Sequence, residues 1–253
     1  MGSIPTRGST IFFVPRKKLS IGDFEWTADL AYAVGLIVTD GCLSGTGRHI
    51  ILKSKDIEQI KNFKKCLGLK NKIGSTKKIL SSGSTATYYR VQFGDVKFYR
   101  WLVSIGLTSA KTYTVPSLPI PDAYFPDFLR GHLDGDGTIT TYVDNYNASK
   151  NEAYRYTRLF IRFISASEFH LRWIQETTQR LLGIHGDFWR CISKDKKRVD
   201  MSQLKYMKKD SKILIPWLYY KKDLPCLSRK RDKAEITLAN IMNIPRKEYT
   251  RTA

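Results

Sequence analysis

Two aspartates carry the chemistry this sequence could do. Asp40 closes the run DLAYAVGLIVTD and Asp136 closes DFLRGHLDGD, and each acid is followed directly by glycine. Gly35 precedes the first acid by five positions and Gly131 precedes the second by five, with the two acids 96 positions apart. Both runs read as helices that end at the Asp-Gly pair. Two carboxylates side by side at helix C-termini are unfavourable alone, because the helix dipole makes that end negative and like charges repel. A hard divalent cation relieves both. Mg²⁺ is content with one or two carboxylates plus water and phosphate oxygens. In such a centre it orients and activates water and stabilises the attacking and leaving oxygens of a phosphodiester.

The elements must then bring the acids together. Ala31 and Gly35 stand four apart, as do Gly131 and Gly135, and residues at i and i+4 share a helix face. A glycine inside a helix costs about 1 kcal/mol relative to alanine. Accepting that cost in both runs predicts two backbones in close approach, packed along these small residues, with Asp40 and Asp136 delivered side by side. A calcium-loop reading of Asp134-Gly-Asp136-Gly-Thr138 fails. It needs glycine at its sixth position and glutamate at its twelfth, where this chain has Ile139 and Asn145.

The segments after the two Asp-Gly pairs repeat as well. In the first half a strand at 49–53 leads to a helix at 56–67, with Asp56 as N-cap and Gly68 behind it. A hairpin comes next at 72–80 and 86–93, then a short helix at 96–105. In the second half the same order recurs: strand 156–164, helix 167–182 with Ser167 as N-cap, hairpin 186–193 and 198–207, and helix 211–220 in spite of Pro216. A last helix is expected over 231–242. Each half thus reads αββαββα. The fold class is α+β: pseudo-twofold tandem repeats, two saddle-shaped antiparallel sheets and a central two-helix interface. The expected divisions are an N-terminal arm at 1–20, a first half at 21–113, a proline-rich linker at 114–126, and a second half with its C-terminal helix at 127–253.

Charge narrows the partner. Lys and Arg number 43 against 23 acidic residues, a net charge of +20, and such a field attracts polyanions, nucleic acid first. No apolar stretch approaches the ~20 residues of a membrane span, and no apolar signal segment comes after Met1. The four cysteines and four histidines are scattered, which disfavours a zinc site. Unpaired cysteines fit a reducing, intracellular compartment, a prokaryotic cytoplasm or an organelle matrix, with no secretion expected.

VGLIVTDG (34–41) and LRGHLDGDG (129–137) resemble the two LAGLIDADG motifs of monomeric homing endonucleases, and the likeness runs from about Phe24 to Ala234. The first motif departs at Val38, where the family often has an acid; the second keeps Asp134 there. The resemblance implies a metal-dependent DNA endonuclease of intron homing, acting as a monomer. The penultimate acids, Asp40 and Asp136, would be catalytic metal ligands for Mg²⁺, with Mn²⁺ or Ca²⁺ substituting for binding. It also implies a basic residue near each centre, at Lys111 and Lys230, with Arg229 and Arg231 close competitors. The substrate would be a long, asymmetric double-stranded DNA of roughly 20 base pairs, about two helical turns. It would be cut across the minor groove, one strand per centre, leaving short 3′ overhangs. Host intron RNA, in a maturase role, is an alternative partner; a catalytically silent DNA-binding regulator of the same fold is another.

Strands of such a saddle would lie in the major groove, whose base edges Arg and Gln can read. Alternation puts Tyr88, Arg90 and Gln92 on one face of a strand, and Tyr156, Arg158 and Arg162 on one face of another. Lys53, Arg190, Gln203 and Lys205 are further DNA-binding candidates. Lys77, Lys78, Lys194, Lys196 and Lys197, in or near turns, are expected on phosphates.

Overall fold

The elements arise from capping and burial. In a computed structural model, the structure describes residues 24–80, 82–109, 114–146, 149, 151, 155–193 and 199–243. Helix α1 (Ala28–Asp40) starts at Thr27, whose hydroxyl accepts from Leu30 N at 3.1 Å, and every residue from Leu30 to Val38 is buried. A helix apolar on all sides must be covered on all sides. Strands β1 (Gly41–Leu43) and β2 (His49–Ser54), helix α2 (Ile57–Cys66), strands β3 (Gly74–Ile79) and β4 (Thr85–Gly94) and helix α3 (Val96–Ser104) complete the first half. After a single 3₁₀ turn at Asp122–Tyr124, the order recurs: α4 (Phe125–Asp136), β5 (Thr138–Asp144), β6 (Tyr156–Ser165), α5 (Glu168–Leu182), β7 (Asp187–Cys191), β8 (Met201–Tyr206) and α6 (Lys208–Leu218). Helix α7 (Ser228–Asn243) comes last. Both halves are αββαββα, as the sequence predicts.

Each half holds a four-stranded antiparallel sheet, in the orders β1-β2-β4-β3 and β5-β6-β8-β7. One face of each sheet is buried under helices. Ile50, Leu52, Val91 and Phe93 face Ile60, Phe63 and Phe98 in the first half, and Leu159, Ile161, Phe163 and Leu204 face Leu171, Ile174 and Leu214 in the second. The sheets' other faces carry the polar alternates. Among the described residues no helix is long and apolar enough to cross a membrane.

Several expectations shift in detail. Asp56 precedes α2 but makes no side-chain cap bond; its carboxylate accepts instead from Arg229 Nη2 at 2.7 Å. Ser167 does cap α5, and Gly183 closes it in the left-handed conformation at φ 65°. Pro216 lies inside α6, which runs three residues earlier than expected at its start.

Helix α4 is buried from Phe125 to Asp134 although that stretch carries four ionisable residues. Burying a charge is costly unless it is paired and hydrogen-bonded. Arg130, fully buried, donates to Asp127 Oδ1 (2.6 Å), Pro225 O (2.9 Å) and Leu218 O (3.0 Å). It thereby ties α4 to the segment after α6. His132 stacks on His170 of α5 with ring centroids 5.4 Å apart. Burial drives both imidazoles toward the neutral form, His132 well below its ordinary value and His170 down to about 4.

Candidate functional site

The two acids are set by glycines that leave no room for a side chain. A Cβ on Gly35 would strike Phe128 O and lie 2.8 Å from His132 N. A Cβ on Gly131 would strike Tyr32 O and stand 3.2 Å from Gly35 Cα. One on Gly135 would overlap the Thr39 hydroxyl and stand 3.2 Å from Asp40 Oδ2. The contacts run in step along both helices, so α1 and α4 pack in parallel, backbone to backbone, and end together. Ala31 is fully buried on the same helix. The Asp-Gly ending has its own cause. A Cβ on Gly41 or Gly137 would stand 2.6 Å from the Cα of Ile37 or Leu133, because the chain folds back on the last helical turn. Only glycine lets the strand begin directly after the acid.

Asp40 is held by a relay that sequence reading missed. Buried Gln59 of α2 donates from Nε2 to Asp40 Oδ2 at 2.6 Å and accepts on Oε1 from Ser54 Oγ at 2.9 Å. Both partners lie beyond the motif, so no local pattern marks them. Asp40 opens onto a cleft of about 380 Å³ whose walls include Lys53, Lys55, Lys78, Tyr88 and Arg229. Asp136, at the end of α4, is exposed. It is not among the residues lining that cleft.

The basic residues expected beside the acids divide. Lys111, Lys194, Lys196 and Lys197 lie outside the described residues. Lys230 does not face the cleft. It is buried, and its ammonium donates to Leu133 O, Asp134 O and Gly137 O at 2.5, 2.9 and 2.8 Å. All three of its N–H donors are thus spent on carbonyls at the C-terminal end of α4 and its cap, where Leu133 O also accepts from Gly137 N at 3.0 Å and where the helix dipole favours a cation. Burial lowers its pKa to about 8, against the upward pull of Asp134. In this structure Lys230, expected beside the phosphate, caps the end of α4 within electrostatic reach of Asp40, and its neighbour Arg229 lines the cleft.

The difference between the two motifs has a physical reason as well. Asp134 is buried and accepts from Tyr32 Oη and Leu227 N, both at 2.8 Å, and burial raises its pKa to about 6. It docks the chain that leads into α7. Val38, its counterpart, sits in the apolar core.

The sheets' uncovered faces carry most of the expected DNA-binding side chains. In an antiparallel ladder, directly paired residues point to the same face. Lys53 pairs Arg90, and Tyr88 pairs Thr76, so Lys53, Tyr88, Arg90, Gln92 and Lys78 share the open face of the first sheet. Lys77 pairs Thr87 and has the opposite parity, though it is exposed at the edge strand. In the second sheet Arg162 pairs Lys205 and Ile164 pairs Gln203, and Arg158 has the same parity, so these four basic and amide side chains share the open face. Arg190 does not. It pairs Ser202, which is buried, and its guanidinium lies 3.6 Å from Asp200. Its neighbour Trp189, paired with Gln203, is on the open face instead. Arg190, a DNA-binding candidate from the sequence, thus lies off the open face: the register of β7 puts the Trp189 ring there.

Among the described residues no cluster of three or more His, Cys, Asp or Glu side chains stands ready for a metal. A cation here would rest on two carboxylates and on oxygens from water and phosphate, a set that suits Mg²⁺.

No protein-family model matches the sequence, and no curated protein matches it. Solved structures do. The chain is similar to the I-LtrWI LAGLIDADG homing endonuclease bound to target DNA, at 11% identity, covering 85% of this chain and 91% of that one, with a TM-score of 0.54. It is similar to the homing endonuclease I-WcaI bound to its DNA recognition sequence, at 11% identity, covering 83% and 88%, TM-score 0.54. It is also similar to the meganuclease I-SmaMI bound to uncleavable DNA, at 13% identity, covering 86% and 92%, TM-score 0.54. At such identities the likeness speaks to architecture, and it spans both halves. This chain has the two-lobed LAGLIDADG fold of those endonucleases.

Proposed function

We propose that this protein is a site-specific DNA endonuclease that makes a staggered double-strand break in a long, asymmetric duplex by metal-dependent phosphodiester hydrolysis. The observation that carries the reading is the parallel α1/α4 pair, whose glycine-lined contact ends in Asp40 and Asp136 beside two open, basic sheet faces. Structures of the same fold have been solved on their target DNA.

The chain's own residues divide the work. Lys53, Arg90 and Gln92 on one sheet, and Arg162, Gln203 and Lys205 on the other, meet base edges in the major groove. Exposed lysines such as Lys77 and Lys78 contact phosphates and add affinity without sequence information. Gln59 fixes the Asp40 carboxylate by a 2.6 Å hydrogen bond, so that its charge is aimed before substrate arrives. Arg229, on the wall of the same cleft, is placed to receive a phosphate once it leaves Asp56. Lys230 holds the end of α4, and with it Asp136, in register. Mg²⁺, held by Asp40 and Asp136, would supply activated water and charge neutralisation at the phosphate. The α1/α4 pseudo-twofold implies one strand cut per acid, and the differing sheet faces imply a target without palindromy.

The test is incubation of the purified protein with a randomised duplex library, with and without Mg²⁺, and then sequencing of the new ends. Breaks at one sequence class that require the metal are expected. Binding without breaks under every divalent cation would make the protein a DNA-binding regulator instead.

A further inference from the structure

The two open faces are chemically unlike. On the first sheet the described open face carries one tyrosine ring, Tyr88, and the His49 imidazole; the Lys53 and Lys55 ammonium groups lie 4.9 and 5.4 Å from the Tyr88 centroid, and Arg90 and Gln92 stand exposed beside it. On the second sheet four rings share the open face: Tyr142, Tyr156, Phe160 and Trp189. Three of them are 43–52% exposed, a large apolar area for a surface that no other described element covers.

The polar groups of the second face are, by contrast, mostly engaged with one another. Arg158 donates twice to Asp144, at 2.9 and 2.6 Å. Lys205 lies over Phe160 at 4.0 Å and near Trp189 at 5.7 Å. Arg162 reaches Gln203 at 3.5 Å. A guanidinium chelated by a carboxylate has less to offer a guanine. Between β6 and the start of α6, a groove of about 540 Å³ runs past Tyr142, Tyr156 and Phe160, rimmed by Lys208 and Lys209. Its charge suits a phosphate backbone, and its floor is aromatic.

Resting on the DNA-binding reading above, we propose that the second lobe is the thymine reader: Tyr142, Phe160 and Trp189 recognise thymine C5-methyl groups in one half of the target, while the first lobe reads purine edges through Arg90, Gln92 and Lys53. Paired bases show a major-groove ligand only their edges, and the apolar feature there is the thymine methyl. Strand side chains stand roughly perpendicular to their sheet, so these rings project toward the groove floor. Each methyl sealed against a ring is worth about fourfold in affinity, the equivalent of one buried methyl group.

Duplexes bound from a randomised library, with Ca²⁺ replacing Mg²⁺, should be thymine-rich in one half. The enriched duplex is then rebuilt with deoxyuridine for thymidine, which removes only the methyl. Each replacement in that half is expected to weaken binding about fourfold, and replacements in the other half to have far less effect. Phe160→Ala and Trp189→Ala should remove the deoxyuridine sensitivity of that half and leave base preference in the other half unchanged. Tight duplex binding that ignores deoxyuridine in both halves would overturn this inference and leave the endonuclease reading standing. Preference for single-stranded DNA or RNA over duplex would also overturn it, since the rings would then be stacking on unpaired bases. Failure to bind any duplex at low salt would sink both.

Discussion

Gly131→Ala is the substitution in which two effects of opposite sign compete. In an exposed helix it would stabilise by about 1 kcal/mol through helix propensity. Here the new Cβ meets the Tyr32 carbonyl oxygen inside van der Waals contact, with Tyr32 C at 3.0 Å and Gly35 Cα at 3.2 Å. All three are backbone atoms of α1, so no side chain can swing aside. Restoring ordinary contact means parting the helices by about 1 Å or more, which forfeits roughly half of the dispersion energy of each facing pair. Overpacking of this kind costs about 1–3 kcal/mol, and the rigid opponents put this site at the upper end. The net destabilisation is about 2 kcal/mol, a fall in Tm of roughly 4–8 °C for a chain of this size. Because the same contact aligns Asp40 and Asp136, cleavage should fall further than stability, by about 100-fold for an ångström of misplacement. Thermal melting and single-turnover cleavage measure the two. Gly45→Ala, which has nothing within 4 Å of its new Cβ, is the control and should change neither. A Gly131→Ala protein that melts higher than the parent would refute the close-packed α1/α4 interface.

Lys230→Met keeps the stem but strips three hydrogen bonds from the end of α4 and its cap; Leu133 O keeps its bond from Gly137 N, and a buried acceptor left unpaired costs about 1–3 kcal/mol. A loss of roughly 3 kcal/mol by denaturant titration is expected, and unchanged stability would mean the ammonium is not a cap. The buried histidines make stability depend on pH. His170 has its folded pKa depressed to about 4, so the unfolded chain binds the extra proton as pH falls below the usual ~6.5. From His170 alone stability should fall by about 2 kcal/mol between pH 7 and pH 5, with His132 adding loss of the same sign and Asp134, whose folded pKa is raised to about 6, offsetting about 1 kcal/mol of it. A flat profile between those values would contradict the buried neutral pair. Duplex affinity should fall with salt at a log–log slope of about −5, as for some six phosphate contacts; a slope near zero would argue against the basic sheet faces as the binding surface.

The sequence is most transparent where one residue type has one physical reason to be there. Glycines at matched places in two apolar helices have little use except close approach, and Gly35 and Gly131 do meet backbone to backbone. Strand parity is legible where alternation is clean, as for Lys53, Arg90 and Gln92. It is not legible in β7, where DFWRC offers a tryptophan and an arginine at adjacent positions. Only the register against Ser202 and Gln203 decides it. Least legible are contacts that join residues some 90 or more positions apart. Lys230 on the α4 carbonyls, Leu227 on Asp134 and Arg130 on Pro225 leave no periodicity behind. These long-range bonds give a lysine in an active-site position of the motif pattern a capping contact that the sequence does not show. The Gln59 relay to Asp40 spans only 19 positions and is hidden for a different reason: its glutamine sits on α2, where a polar residue suggests solvent, yet it is buried.

The most direct test of the paired acids is Asp136→Asn, measured on the duplex that the parent protein cuts. The side chain is exposed and nearly isosteric, so folding and duplex affinity in Ca²⁺ should stay within a few-fold of the parent. Cleavage in Mg²⁺ should be lost by at least about 1000-fold, and Asp40→Asn should do the same. Either variant cutting both strands at the parental rate would show that these aspartates are not the centre of the chemistry.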